Sequence, residues 1–421
     1  MIDVSQAYID ILKEELVPAM GCTEPIALSY AGSVAADILG EPVKALVAKC
    51  SGNIIKNVKS VKVPNTDGLI GIEAAVIAGA LAGDSSLKLE VISKLKDEDR
   101  KLIRKALNQN ICKAEYLDSP IPLHIIVEAY GDVHHSCVEI THSHTNIANM
   151  YLDDKKIDQE VNGYVEEQLT DRSLLTVAKI VEFANTVDLE LVKDMLEEQI
   201  ECNMNIAKEG FTGKYGVNIG KVLLDQNPND LETKMMAYAA SASEARMEGC
   251  PLPVITNSGS GNQGITASVP VVVYRQEKGL SKQTLYRALL VSNLITIHCK
   301  TGIGRLSAFC GAVCAGSAIG AALTFLQGGT EEQIDNTIRN SFANVTGIIC
   351  DGAKATCGIK ITSALQSGFL ASKLALMGKT YDGGTGILKN TVEDTIRDVG
   401  ILGKDGMHET DKVILNLMMK E

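Results

Sequence analysis

An α+β fold, with an N-terminal mixed α/β lobe packed on a mainly helical C-terminal lobe, is predicted by three features of the sequence. Short β-like runs crowd residues 1–165, helix-length segments fill residues 166–421, and no repeat, low-complexity tract or flexible linker separates the two. Tightly packed lobes leave the cleft between them as the default site. The hydrophobic share of 45% beside 22% charged residues supplies enough apolar material for a real core.

Taken in order, the run MIDVSQAYIDILKEELVPAMG has an amphipathic helical pattern with acids mixed in. It lacks the basic start and apolar run of a signal peptide, and no stretch of the chain is long and apolar enough to span a bilayer, so a cytoplasmic protein is expected. Thr23-Glu24-Pro25 reads as a helix opening, with Thr as cap, an acid in the first turn and Pro where its missing N–H costs nothing, before the apolar IALSYAGSVAADIL. Cys22 then lies at a positive helix end, which lowers a thiol pKa and favours thiolate; a half-buried capping-region cysteine is the plain alternative. Strands are expected at VKALVAKC, KLEVIS, IPLHIIVEAY and SCVEITHSHTNIANMYL, the last two joined in a hairpin through Gly131-Asp132. From Glu166 onward the expected elements are helices, including SLLTVAKIVEFANTV, LELVKDMLEEQIECNMNIAKEG, LETKMMAYAASASEARMEG and SKQTLYRALLVSNLITIHCK.

Composition narrows the function. The net charge of −12 comes without a clustered basic patch, aromatics are 4% and Trp is absent, so the phosphate footprint and stacking platforms of a nucleic-acid binder are missing. Small molecules are the expected partners. Eleven scattered cysteines do not resemble a secreted disulfide framework, which points to a reducing compartment. Cys50, Cys112, Cys137, Cys202 and Cys250 read as small buried hydrophobes.

Other cysteines sit among glycine, alanine and polar residues, a setting that suits soft-metal ligands. Cys310 lies in RLSAFCGAVCAG, one helical turn from Cys314, while Cys350 and Cys357 flank DGAKAT, whose backbone N–H groups can bond to cluster sulfurs. Cys299, before Lys300-Thr301-Gly302, reads as a helix end. Spacing alone therefore leaves five candidates for three or four ligand places. A small-residue helix whose thiols merely fill space is the structural alternative.

Three further clusters can bind a substrate. Ser258, Gly259, Ser260, Gly261 and Asn262 form a glycine-rich loop able to cradle a carboxylate or phosphate, or simply a tight turn. Asn53 and Lys56 in SGNIIKN offer amides and a cation, with an exposed turn as the alternative. His142 and His144 are read on one strand face, and a lone H-x-H is poor grounds for zinc.

GCTEP, SGNIIKN, THSHTNI, ARMEGCPLPVITNSGSGNQG, GRLSAFCG and ICDGAKATC, in this order over nearly the whole chain, resemble the L-cysteine desulfidases. The C-terminal part of those enzymes is similar to the α-domain of iron–sulfur L-serine dehydratases. The resemblance implies an oxygen-sensitive [4Fe–4S] lyase that converts L-cysteine and water into pyruvate, ammonia and hydrogen sulfide without pyridoxal phosphate. It also implies Cys310, Cys350 and Cys357 as cluster ligands, and Cys22 as the active-site thiol, either base or resting fourth ligand. Asn53, Lys56, His144, Ser258, Gly259, Ser260, Asn262 and Arg305 are the candidates for holding substrate. L-cysteine is the expected partner, with a homo-oligomer and a sulfide acceptor left open and neither nucleic acid nor membrane expected. Serine dehydratases use a C-terminal cysteine as displaceable ligand, and the chain ends NLMMKE without one, which favours cysteine over serine. The alternatives are an iron–sulfur L-serine dehydratase and a non-enzymatic cluster-based redox or sulfide sensor. A pyridoxal phosphate enzyme is disfavoured because no Schiff-base lysine motif is recognisable.

Overall fold

The computed structural model describes residues 4–157 and 169–420, and the lobe boundary expected at residue 165 lies outside them. Two hydrophobic cores organise the chain. The first is built on a six-stranded sheet of β2 (Ala45–Cys50), β3 (Cys112–Tyr116), β4 (His124–Tyr130), β5 (His135–Thr141), β6 (Ile147–Leu152) and β7 (Lys155–Lys156). Strand order is β3-β2-β4-β5-β6-β7, with β2 and β3 parallel and every other pair antiparallel. Alternation along β4 sends Ile125, Val127 and Ala129 into the core. There they meet the helices α2 (Thr23–Leu39) and α4 (Ile72–Ala82) with α5 (Asp97–Asn108).

KLEVIS is not a strand. Asp84 caps a short 3₁₀ helix, Ser85–Glu90, by accepting from the Ser86 N–H at 3.2 Å, and Lys88 takes a positive φ of 47°. The buried Leu89, Val91 and Ile92 still reach the first core, so the apolar run reflects burial and not pairing. The Gly131-Asp132 hairpin is present, with β4 and β5 antiparallel around it. Beyond it, the run SCVEITHSHTNIANMYL breaks into two strands, because His142 takes a φ of 65° and ends β5.

The second core is helical, built from α6 (Val177–Thr186), α7 (Lys193–Gly210), α9 (Leu231–Met247), α10 (Gly261–Lys278), α11 (Lys282–Thr301), α12 (Ala312–Leu326), α13 (Glu331–Asn344), α14 (Cys357–Leu376) and α15 (Val392–Ile401), with α8 (Ile219–Gln226) set against α9 and α16 (His408–Met419) against the short helix α3 (Gly52–Val58). The first helix, α1 (Val4–Glu15), packs here through Tyr8, Ile11 and Leu12, far from its sequence neighbours. Two short strands stitch the ends together, β1 (Pro18–Met20) pairing antiparallel with β8 (Pro253–Ile255). α12 and α14 touch backbone to backbone, and a Cβ on Gly368 would lie 2.1 Å from the Gly316 carbonyl oxygen. Gly316 meets Ala364 while Gly320 meets Gly368, so the two helices run in the same direction and start at the same end.

One group in this core carries a pH signature. Burial, with Glu331 and Glu393 nearby, outweighs Arg339 and raises the Asp335 carboxyl to about 7. Such a group binds its proton more tightly folded than unfolded, so stability falls as pH climbs from the ordinary carboxylate range through about 7 and stays lower above it. Asp335→Asn is expected to be neutral near pH 4 and to add about 1 kcal/mol near pH 8, allowing for solvent screening of a half-buried group. Urea titration at both pH values measures this, and an equal effect at the two would refute it.

Candidate functional site

Four helices begin around one cavity of about 100 Å³: α2 after Cys22, α10 after Ser260, α12 after Gly311 and α14 after Thr356. Only Ser260 caps its helix through its side chain, donating nothing and accepting from the Gln263 N–H at 3.4 Å. The converging helix ends make the cavity electropositive. The strand pairing β1·β8 brings the start of α2 to the glycine-rich loop, in which Ser258 and Gly259 take φ of 51° and 76°.

Cys22, Cys310, Cys350 and Cys357 all line this cavity. Cys310 and Cys350 are aligned by a short antiparallel bridge, in which Cys310 N–H donates to Ile348 at 2.8 Å and Cys350 N–H donates to Ala308 at 2.7 Å. The shared direction of α12 and α14 adds Cys357 at the same end. Cys314 and Cys299 are fully buried in the helical core and do not line the cavity. The two adjacent thiols behave as a pair: a hydrogen bond from Cys310, helped by Lys56 and the Gly352 N–H against the effect of burial, holds Cys350 below the ordinary thiol range, and the same bond raises Cys310.

Cys22 departs from the expectation of a thiolate. It caps α2 itself, with Thr23 already inside the helix, and is 2% exposed. Burial and the Glu24 carboxylate push its pKa well up, Arg246 only partly offsetting them, so the proton stays on sulfur and is donated to Glu24 Oε2 at 2.9 Å. Burial alone would raise Glu24; His144, whose Nε2 stands 3.9 Å from Oε1, and the Cys22 hydrogen bond outweigh it and hold the carboxyl down to about 2. Asn57 Nδ2 donates to the same carboxylate at 3.0 Å.

Of the other residues expected to hold substrate, Gly259, Ser260, Asn262 and Arg305 line the cavity. Four do not. Lys56 is spent in a buried ion pair with Asp411 and donates to the Cys350 carbonyl at 3.2 Å. Asn53 lies on helix α3 (Gly52–Val58), not on an exposed turn, and lines a neighbouring hollow of about 590 Å³. His144 sits behind Glu24, and Ser258 turns away to hydrogen-bond Asn257 at 2.9 Å. Arg305 borders the cavity and each of three outer hollows, held by Glu15 at 3.3 Å.

Sequence reasoning missed Glu24 as the partner of Cys22, and Arg246 and Lys300 as lining residues, while Asn57 and Gln263 lay within the SGNIIKN and glycine-rich motifs without being singled out. Arg246 had a signal: it is the only cation in the last two turns of a helix otherwise rich in Ala and Ser. Arg246 and Lys300 are 3% and 4% exposed, and neither side chain makes a hydrogen bond or ion pair among the described residues.

Fold and cavity thus define a two-core α+β protein that gathers thiols from three remote segments at a cluster of helix N-termini. Residues 86–416 match the serine dehydratase alpha chain family, and the chain belongs to that family. Relatives of similar length carry names that state no activity. A UPF0597 protein of Lachnoclostridium phytofermentans is 48% identical over 98% of this chain and 99% of its own. One of Desulfitobacterium hafniense is 48% identical over 99% and 97%, and one of Fusobacterium nucleatum 47% identical over 99% of each.

Proposed function

We propose that the chain is a lyase that eliminates sulfide from L-cysteine, giving pyruvate, ammonia and hydrogen sulfide, with a [4Fe–4S] cluster held by Cys310, Cys350 and Cys357. One observation carries this reading: four cysteines far apart in sequence line a single electropositive cavity. The donor set fits the group. Among the described residues no three His, Cys, Asp or Glu side chains close around a single ion, while Cys310, Cys350 and Cys357 open on one cavity and are the donor type that would hold a cluster. The buried, unpaired Lys300 and the converging helix N-termini would balance an anionic cluster. Once bound, the cluster supplies a soft Lewis acid at its open iron, suited to the sulfur of the substrate.

The protein groups then handle protons and orientation. Cys22 would take the substrate Cα proton after passing its own proton to Glu24, whose Oε2 already accepts from the thiol across 2.9 Å. The glycine-rich loop confines the substrate backbone, and the buried walls keep water from the reacting carbon. Aminoacrylate, once released, hydrolyses to pyruvate and ammonia without protein groups.

The test is iron and acid-labile sulfide after anaerobic reconstitution, with pyruvate assayed from L-cysteine and L-serine in parallel. About four irons per chain and pyruvate from cysteine are the expected outcome. Failure to take up iron would remove the foundation of the reading. Pyruvate from serine alone would favour the second reading, an L-serine dehydratase, to which the family match lends weight.

A further inference from the structure

We infer that the cavity contains a cradle for an α-amino-acid zwitterion, in which Arg246 takes the carboxylate and the side-chain oxygens of Asn57 and Gln263 take the ammonium. This deepens the proposed function and rests on it for the identity of the ligand. Three buried polar atoms in the cavity wall lack any partner among the described residues: Arg246 Nε, Asn57 Oδ1 and Gln263 Oε1. Their residues are 3%, 7% and 2% exposed. Burial without a partner is costly for a polar group and more so for a charge, so a ligand that satisfies all three atoms at once is favoured by relieving that cost.

The polarity of the three atoms identifies the ligand. Each amide is oriented by its own NH₂ group: Asn57 Nδ2 donates to Glu24 Oε1 at 3.0 Å and Gln263 Nε2 donates to the Asn257 carbonyl at 2.9 Å. Both oxygens are thereby left over as acceptors, suited to an ammonium, which has three donors and no acceptor. The guanidinium is the opposite, all donors, and matches a carboxylate as a two-pronged fork. Two glycines make room for it. A Cβ at Gly261 would lie 2.3 Å from Arg246 Nε, and one at Gly311 would lie 1.7 Å from Gln263 Oε1. The N-terminus of α10, at Gly261, adds its dipole on the carboxylate side. Lys300, the other unpaired cation of the cavity, stands apart from this cradle, nearest in charge to Cys310, Cys314 and Cys350.

Calorimetry on the anaerobic, cluster-free chain tests the cradle without turnover, using L-cysteine, cysteamine, which lacks the carboxylate, and 3-mercaptopropionate, which lacks the amine. Arg246→Gln is expected to weaken L-cysteine and 3-mercaptopropionate by about 100-fold while leaving cysteamine within about 2-fold. Gln263→Met should weaken L-cysteine and cysteamine by about 10-fold and spare 3-mercaptopropionate. Arg246→Lys, which keeps the charge and loses the fork, should fall between. Equal losses for all three ligands, or no loss in Arg246→Gln, would overturn the assignment, as would a wild-type chain that binds none of them. Iron uptake on reconstitution should match the wild type in all three variants. If the wild type itself takes up no iron, the cluster reading falls, and the pattern of affinities still decides the cradle.

Discussion

Cys22→Ala is expected to keep its iron and lose turnover by about 10³-fold, the scale of a missing general base. Cys310→Ala, Cys350→Ala and Cys357→Ala are each expected to lose the iron itself. The difference follows from anchoring. Cys310 and Cys350 are fixed by backbone hydrogen bonds to each other's loops and Cys357 by the first turn of α14, so the three thiols remain where they are if Cys22 is removed. Cys22 belongs to another segment, and its sulfur hydrogen-bonds Glu24 in place of any of the other three. Iron analysis, the visible spectrum and pyruvate formation on the four variants separate the roles. Activity retained in Cys22→Ala, or iron lost from it as completely as from Cys350→Ala, would refute the division.

The second large effect lies at Lys56 and Asp411. Lys56 is 2% exposed at its side chain and Asp411 14%, and between them they tie four segments. Lys56 reaches the Cys350 carbonyl at 3.2 Å, and Asp411 Oδ2 accepts the Ala308 N–H at 2.9 Å. The pair therefore clamps both strands of the bridge that aligns Cys310 with Cys350. Asp411→Asn leaves a buried ammonium without its counter-charge, a change that costs roughly 3–5 kcal/mol. Adding Lys56→Met to it removes the stranded charge and is expected to recover most of the stability, though not iron retention, since the bridge remains unclamped. Urea denaturation of the single and double variants gives the coupling directly. A single-variant cost below about 1 kcal/mol would mean that water reaches the pair and that it has no clamping role.

These two results also mark where the sequence was readable. The cysteines at 310, 350 and 357 stood out because their neighbours are small or polar, and Cys22 because a helix opening follows it. The α+β division was readable from segment length, and the hairpin at Gly131 from its turn. Lys56 read as a substrate group because its partner, Asp411, lies in the last helix, and no local pattern links the two. Cys22 read as a thiolate because the helix end was visible and the burial, with Glu24 folded back on it, was not. Arg246 and Lys300 went unread for a related reason. An unpaired buried cation is defined by what surrounds it in space, and the one local hint, Arg246 alone among Ala and Ser, does not say what it faces. KLEVIS shows the same limit in the backbone, since a short apolar run records burial without fixing whether the chain is paired or turned.

The pairing of β1 with β8 sets an order of events during synthesis. β1 ends two residues before Cys22, and its only ladder partner is residues 253–255. At 5–20 residues per second, roughly 10–50 s pass between the emergence of the two. Within that interval the six-stranded sheet can be completed, once Lys156 has emerged, but Cys22 is not yet joined to the glycine-rich loop. The ion pair of Lys56 with Asp411 waits longer still, for residue 411. The thiol cavity is therefore a late product of translation, assembled only after residue 411 has emerged, and a chain interrupted before that point carries its cysteines without the place that joins them.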